Sequence, residues 1–277
     1  MTQREIEKNT RDWEAFQSRM YLLGYAKFSK ALRRQIEPII ASLNATESVA
    51  LIQGLYPQLI STLPIQEAMR PFLLEVSDRA SKQIARAYLS SMPKEAGIGV
   101  GFGSERFKRD MLAYIDDIGG QHITEITETT RKLVGKAFTD GIENGDTLRQ
   151  LSKRIERYTL GSNGSLLEGR INVRARALLI AKTETLMCSG MAKDLQVEEY
   201  PYVFEKQWIH KHVKDPRHEH INAVSTRKDK DGFWTLYGAK MKYAGDVNGG
   251  AINNCNCRCS VVYIPKEDEE GNLIRKN

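Results

Sequence analysis

Two stretches near the carboxyl end, W-I-H-K-H-V-K-D-P-R-H-E-H (residues 208–220) and N-N-C-N-C-R-C (residues 253–259), indicate how the chain is organised. They contain four of its five histidines and three of its four cysteines. Imidazoles and thiolates are the ligands that zinc prefers in proteins. We therefore expect the two stretches to form one site, presented by a scaffold that the preceding sequence builds.

The composition predicts a folded protein in a reducing compartment. A chain of 277 residues with 41% hydrophobic side chains can bury one or two cores. It has no long apolar run and its first residues are polar, so we expect no membrane anchor and no secretory signal. Closely spaced cysteines are unlike the framework of a secreted disulfide scaffold. The net charge of +6 is spread along the sequence, which favours non-specific contact with polyanions over sequence-specific binding.

Apolar residues recur at helical spacing through the first two thirds of the chain, which predicts a helical scaffold. Gly145 is expected to end one helix, and Asp146 or Thr147 to cap the next. The glycine-rich residues 96–103 fit a hinge better than a phosphate loop, because no strand precedes them and their spacing differs from the known motifs. The predicted helical segments are residues 12–43 (one or two helices), 65–92, 104–138 with a break at Gly119-Gly120, and 170–196.

The last quarter of the chain changes to a mixture of strand and helix signals. Residues 203–208, 233–237 and 260–264 are rich in β-branched and aromatic side chains, which predicts three short strands. A helix over residues 216–224 is expected to separate the first two. We therefore predict a mainly α protein with a small carboxyl-terminal α+β module built on a short antiparallel sheet. The predicted segments are 1–103 (helical), 104–165 (helical, ending in a polar loop at 161–169), 166–265 (α+β module) and 266–277 (polar tail).

The cysteine cluster allows four interpretations. If residues 255–259 are extended, Cys255, Cys257 and Cys259 share one face, and His220 completes a four-ligand zinc site. The same residues also fit a reduced thiol cluster without metal, a disulfide within the cluster, or a nucleophilic thiol activated by imidazole. Cys188 lies apart from them and is expected to be a small buried core residue. His218 is a further possible ligand, whereas His122, His210 and His212 are expected to be ordinary polar surface residues. The carboxylate of Asp215 and the guanidinium of Arg217 are expected to pair within their turn.

The order of several short motifs resembles the carboxyl-terminal module of the phage Mu F-like minor head proteins, the head morphogenesis family of tailed phages. A helix carrying K-T-E is followed by a tryptophan-bearing strand, a D-x-R turn leading to a histidine, a Gly-Asp loop and a final Cys-Arg-Cys. The similarity spans roughly residues 105–265, and Cys255 is a thiol additional to the family pattern. The residues that carry the resemblance as structural motifs are Lys182, Thr183, Glu184, Trp208, Asp215, Arg217, Gly245, Asp246 and Arg258, with His220, Cys257 and Cys259 at the cluster.

This resemblance implies a portal-associated component of the phage head that serves morphogenesis, DNA packaging or ejection. It implies no enzyme activity. The expected partners are the portal protein, the major capsid or scaffolding protein, and packaged double-stranded DNA held through non-specific phosphate contacts. The expected location is the virion, in the head interior or at the portal vertex, after assembly in the host cytoplasm. The alternative class is a metal- or thiol-dependent enzyme acting on nucleic acid or protein, with His220 as its base and Cys257 or Cys259 as ligand or nucleophile.

Overall fold

The computed structural model of the chain describes residues 2–45, 48–89, 104–159, 173–211 and 216–276. The predicted hinge at residues 96–103, the predicted loop at 161–169 and Asp215 lie outside these ranges. The division into four sequence segments stays a prediction. None of the described helices is both long enough and apolar enough to cross a membrane.

Long helices dominate the fold, which confirms the mainly α prediction. Each one buries an apolar stripe: α5, for example, turns Leu151, Ile155 and Tyr158 inward at spacings of three and four residues. The predicted segment at 12–43 is one continuous helix. The long helices are α1 (Gln3–Ala45), α2 (Val49–Leu59), α3 (Leu63–Leu89), α4 (Glu105–Glu143), α5 (Leu148–Thr159) and α6 (Val173–Glu198).

The predicted break at Gly119-Gly120 is wrong, because α4 continues through both glycines. A glycine inside a helix costs about 1 kcal/mol relative to alanine. The helix buries apolar side chains on both sides of the pair, including Ile115 before it and Val134 after it. Packing of these residues outweighs the local cost.

The predicted cap between α4 and α5 is confirmed. Gly145 adopts a φ of 65°, the left-handed conformation in which helices commonly end. Thr147 then caps the start of α5 through a reciprocal pair of hydrogen bonds. The backbone amide of Gln150 donates to Thr147 Oγ1 (3.3 Å), and the backbone amide of Thr147 donates to the side-chain Oε1 of Gln150 (2.8 Å).

The carboxyl-terminal module contains two antiparallel sheets, so the expectation of antiparallel pairing is confirmed. The larger sheet has the strand order β2-β1-β5, and the smaller one is the hairpin β3-β4. Register places Trp208 of β1 opposite Val261 of β5. The elements of the module are β1 (Phe204–Ile209), α7 (His218–Asn222), β2 (Arg227–Asp229), β3 (Trp234–Leu236), β4 (Ala239–Met241), α8 (Gly250–Asn254) and β5 (Ser260–Pro265).

The third strand of the larger sheet is not the aromatic run at 233–237. That run forms β3 and turns back on itself, because Tyr237 and Gly238 both have positive φ values of 46° and 77°. A two-residue turn of this kind joins adjacent antiparallel strands. The remaining place beside β1 is taken by the short charged strand β2.

The described residues divide into two compact units. One comprises Met1–Tyr21, Leu73–Ile115 and Lys182–Asn277, and the other comprises Leu22–Phe72 and Asp116–Ala181. The second unit has a core of buried side chains from α1, α2, α4 and α5, among them Ile39, Ile52, Phe138 and Ile155. In the first unit, Ile6 of α1 packs against Val262 and Ile264 of β5.

A buried lysine ties α6 to β5 in the first unit. Lys193 is 7% exposed, its Nζ donates a hydrogen bond to the carbonyl of Val261 (2.9 Å), and it lies 3.5 Å from the ring centre of Trp13. Both contacts favour the charged form. Burial removes the hydration of the ammonium group, and this loss outweighs both contacts. The pKa of Lys193 is therefore lowered to about 7.

Lys193→Met should therefore flatten the dependence of stability on pH. Between pH 7 and the ordinary lysine pKa of 10.5, the unfolded chain binds a proton that folded Lys193 does not. Stability of the wild type must then rise with pH in this window and fall as pH drops through 7. Between pH 8 and 9.5, we expect the free energy of unfolding of the wild type to rise relative to that of Lys193→Met by about 1 kcal/mol per pH unit, measured by urea unfolding. Lys132→Met, at an exposed position of α4, is the control. If the free energy of unfolding depended on pH equally in both variants, the lowered pKa of Lys193 would be contradicted.

Candidate metal centre

One imidazole and two thiols meet inside the carboxyl-terminal module. His220 of α7 places its Nδ1 atom 3.5 Å from the Sγ atoms of both Cys257 and Cys259, which precede β5. The three ligand atoms lie within 4.8 Å of one another. The side chains are 1%, 3% and 4% exposed, respectively. This is a buried group of one nitrogen and two sulfur donors.

Asn253 fixes which nitrogen of His220 faces the thiols. The side-chain amide of Asn253 donates to two carbonyls, those of Leu236 (3.1 Å) and Gly249 (2.9 Å), so its Oδ1 atom is the acceptor. Oδ1 lies 2.9 Å from His220 Nε2, which must therefore carry the proton. In the neutral ring Nδ1 then presents its lone pair to Cys257 and Cys259. An outer hydrogen bond of this kind orients histidine ligands in metal sites.

The two thiols differ in their affinity for a proton. The hydrogen bond from Cys259 and the proximity of His220 hold the pKa of Cys257 well below its usual range, although burial opposes this. The hydrogen bond and charge of Cys257, together with burial, raise the pKa of Cys259. The pair therefore favours one shared proton and one thiolate, the form in which cysteine binds metal.

Aromatic side chains close the centre from the side of the sheet. Trp208 of β1 is fully buried, with its ring centre 5.3 Å from that of His220 and 5.2 Å from that of Trp234, both edge to face. The side chains of Cys257 and Cys259 are only 3% and 4% exposed. A macromolecular or peptide substrate has no access to Cys257 or Cys259, so the arrangement disfavours a nucleophilic thiol.

Cys255 lies outside this group. Residues 255–259 are not a strand, since β5 begins at Ser260 and Asn256 turns the chain with a φ of 55°. The turn leaves Cys255 partly exposed, with its carbonyl accepting a hydrogen bond from Arg217 Nη2 (2.7 Å). The face of three cysteines expected for an extended segment does not form.

The remaining histidines of the motif stretch contribute no ligand among the described residues. His218 is exposed, and His210 is half-buried beyond the end of β1. His212 and Asp215 lie outside the described residues, so their predicted roles are left as predictions. Of the two histidines in H-E-H, only His220 enters the cluster.

The K-T-E motif of α6 supports the cysteine turn. Lys182 Nζ donates to Asn256 Oδ1 (3.3 Å), and the amide of Asn256 donates to Thr183 Oγ1 (3.3 Å). Glu184 is buried on the same helix, 5% exposed. Cys188, one turn further, is fully buried and donates to the carbonyl of Leu73 (3.3 Å), as expected for a core thiol.

Gly245 lets the Gly-Asp loop lie directly against α6. Its φ is 91°, and a Cβ atom at this position would come within 2.7 Å of the carbonyl oxygen of Leu186 and 2.9 Å of Met187 Cα. These neighbours are backbone atoms of a helix, which cannot yield. Only glycine meets both the conformational and the steric requirement.

Asp246 organises the loop that leads to α8. Its carboxylate accepts hydrogen bonds from the backbone amides of Lys242 (2.7 Å) and Asn248 (3.0 Å), and its carbonyl accepts one from Asn254 Nδ2 (2.7 Å). Asn254 is adjacent to Asn253, which orients His220. The Gly-Asp motif thus positions the asparagine that fixes the imidazole.

Sequence reasoning missed Asn253, Asn254 and Lys193 as site residues. The two asparagines stand in the quoted N-N-C-N-C-R-C stretch, but their burial, 0% and 2% exposed, is set by tertiary packing. A pair of amides ahead of closely spaced cysteines was the available signal. The sequence carried no signal that Lys193 is buried, because a single lysine in an amphipathic helix is ordinarily a surface residue.

The fold and the centre together define a mainly α protein whose carboxyl-terminal α+β module encloses a His-Cys-Cys group. Residues 132–262, just under half of the chain, match the family model described as Phage Mu protein F like protein, and this match supports a phage Mu F-like protein. Searches of curated proteins and of solved structures returned no match. The resemblance seen in the motifs is confirmed, and it supports a role in phage head morphogenesis.

Gly245→Ala should destabilise the module more than Gly238→Ala. Both glycines have positive φ, but a Cβ at Gly238 has no neighbour within 4 Å. We expect a loss of about 1 kcal/mol at Gly238 from backbone strain alone. At Gly245 the clash with α6 should raise the loss to roughly 3 kcal/mol, measured by chemical denaturation. Equal losses would mean that the close approach of the loop to α6 contributes nothing.

Proposed function

We propose that this chain is a minor head protein of a tailed phage that associates with the portal and acts in head morphogenesis, with DNA packaging or ejection as the step it serves. The observation that carries the proposal is the family match over residues 132–262, a region that includes the whole metal centre. Among the described residues, those that carry the resemblance belong to α6, to the cysteine turn, to β1, to the Gly-Asp loop or to α7 and the segment before it.

The proposed location follows from this role. The protein would be a virion component in the head interior or at the portal vertex, assembled in the host cytoplasm. The major capsid or scaffolding protein is a further proposed contact during assembly. A net charge of +6 is compatible with a place beside packaged DNA.

Portal association is tested by mixing the purified full chain with the portal protein encoded by the same phage. Size-exclusion chromatography with light scattering, run over a range of salt concentrations, should show a complex of fixed stoichiometry. A mixture of the chain with an unrelated ring-forming protein is the control. Absence of a portal complex at every salt concentration would refute the proposed association.

We further propose that His220, Cys257 and Cys259 hold a zinc ion whose role is structural. The donor set fits: zinc binds thiolate sulfur and imidazole nitrogen, the Cys257 thiol has a lowered pKa, and in the neutral ring of His220 the Nδ1 atom carries the lone pair. The described residues supply three of the four ligands that a structural zinc site requires. A bound ion would join α7, a helix of five residues, to the segment that leads into β5.

Cys257→Ser should remove bound zinc and lower thermal stability, whereas Cys255→Ser should change neither. The two variants make the same chemical change two residues apart, but only Cys257 belongs to the cluster. We expect about one zinc per chain in the wild type by elemental analysis, and a melting temperature lower by roughly 5 °C or more in Cys257→Ser or after chelation. Zinc retained by Cys257→Ser, or absent from the wild type, would exclude this site.

A further inference from the structure

Three cationic side chains converge on the outer side of the cysteine turn. Lys182 reaches it from α6 and donates to Asn256 Oδ1, and Arg217 reaches it from the segment before α7 and donates to the carbonyl of Cys255. Arg258 belongs to the turn itself and is half-buried. The metal ligands point into the module, whereas these three residues remain partly accessible to solvent.

None of the carboxylates that the structure describes neutralises these three positive charges. Among the residues that the structure describes, Lys182, Arg217 and Arg258 form no ion pair with a carboxylate, whereas several other basic side chains of this module do. Lys230 and Lys242, for example, both pair with Asp231 and Asp194. Burial and the neighbouring charge of Arg258 lower the pKa of Lys182, which shows that the two cations interact unfavourably. A bound anion would relieve this repulsion.

Two hydroxyl groups add hydrogen-bonding capacity beside the cations. The Tyr21 hydroxyl is buried and has no hydrogen-bond partner among the described residues, and it lies within electrostatic reach of Arg258. Buried hydroxyls are ordinarily paired, so an unpaired one beside a cationic group indicates a place for an acceptor. Thr183 Oγ1 accepts from the amide of Asn256 and keeps its own proton to donate.

We infer that Lys182, Arg217 and Arg258 form a binding site for a phosphate group. Guanidinium groups bind phosphate oxygens through parallel hydrogen bonds, and a lysine adds a point charge. A backbone phosphodiester carries one negative charge, as a carboxylate does, but these charges repeat along DNA, so several cations on one surface can contact neighbouring phosphates. The source we assign is the backbone of double-stranded DNA; this choice rests on the proposed role in the phage head, whereas the site itself does not.

The site is tested by fluorescence anisotropy of the full chain with a labelled 20-base-pair duplex of arbitrary sequence. The test variant is Lys182→Met with Arg258→Gln, which leaves Arg217 in place because it holds the turn. The matched control is Arg149→Gln with Lys153→Met on α5, which removes the same charge from two exposed residues. We expect the test variant to bind at least tenfold more weakly at 0.1 M salt, with the slope of log affinity against log salt reduced by about two. The control variant should lose less than threefold.

Equal losses in the test and control variants would overturn the site and leave only general attraction between charges. Thermal melting checks that the test variant is folded. If it is not, Arg258→Lys takes its place: it keeps the positive charge but removes the paired N–H donors of the guanidinium, and it should weaken duplex binding by a smaller factor. Competition with inorganic phosphate separates the two sources: binding of free phosphate that depends on Lys182 and Arg258, without duplex binding, would support the phosphate site and overturn DNA as its source.

The portal experiment, repeated with the test variant, keeps the two proposals apart. A variant that loses duplex binding but still forms the portal complex supports both. A variant that loses the portal complex while binding DNA normally would show that the cations meet an acidic protein surface, and it would overturn the phosphate assignment. Failure of the wild type to bind the portal would leave the duplex result standing on its own.

Discussion

The hydrogen bond between Asn253 and His220 is the constraint on which the carboxyl-terminal module depends. It is made by an amide whose own orientation is fixed by two carbonyls, so the imidazole has one available tautomer. That tautomer turns a lone pair toward two thiols that compete for one proton. A buried group of this composition is costly unless its polar atoms are paired or bind a metal.

Other features of the module serve the same constraint from a distance. Gly245 allows the loop after β4 to lie against α6, and Asp246 then uses its carboxylate and carbonyl to set the course of the chain into α8. Asn253 lies on α8, so its position depends on the path that Asp246 sets. This explains how a Gly-Asp pair, remote in sequence from the histidine, belongs to the same group of motifs.

The helices could be predicted from the sequence because their signal is periodic and repeated many times. In α1, buried side chains recur over eleven turns or so, and no single residue decides the outcome. Local chemistry was also sufficient at Gly145 and Thr147, where the cap depends on neighbours within four residues. The glycine pair inside α4 shows the limit of such reasoning, because a local cost was outweighed by packing that the sequence does not display.

The strands were less predictable for a related reason. β2 has the sequence R-K-D, which carries no strand propensity, and its place in the sheet comes from pairing with β1 along one edge. The aromatic run at β3 had a strong strand signal, yet the positive φ values that follow it directed its pairing to β4. The turns beside short strands decide which strands pair. A turn such as Tyr237-Gly238 is recognised only when its backbone conformation is known.

The cysteines show why a motif can be located by sequence but not resolved by it. Three thiols at alternate positions suggest one face of a strand, and on that basis all three are equivalent. The positive φ of Asn256 breaks the equivalence: it turns Cys255 toward solvent and the carbonyl of Cys255 toward Arg217, while Cys257 and Cys259 enter the core. The same turn gathers Lys182, Arg217 and Arg258 on its outer side. One backbone conformation thereby separates a buried donor group from a partly exposed cationic one, and the two surfaces of the turn acquire different chemistry.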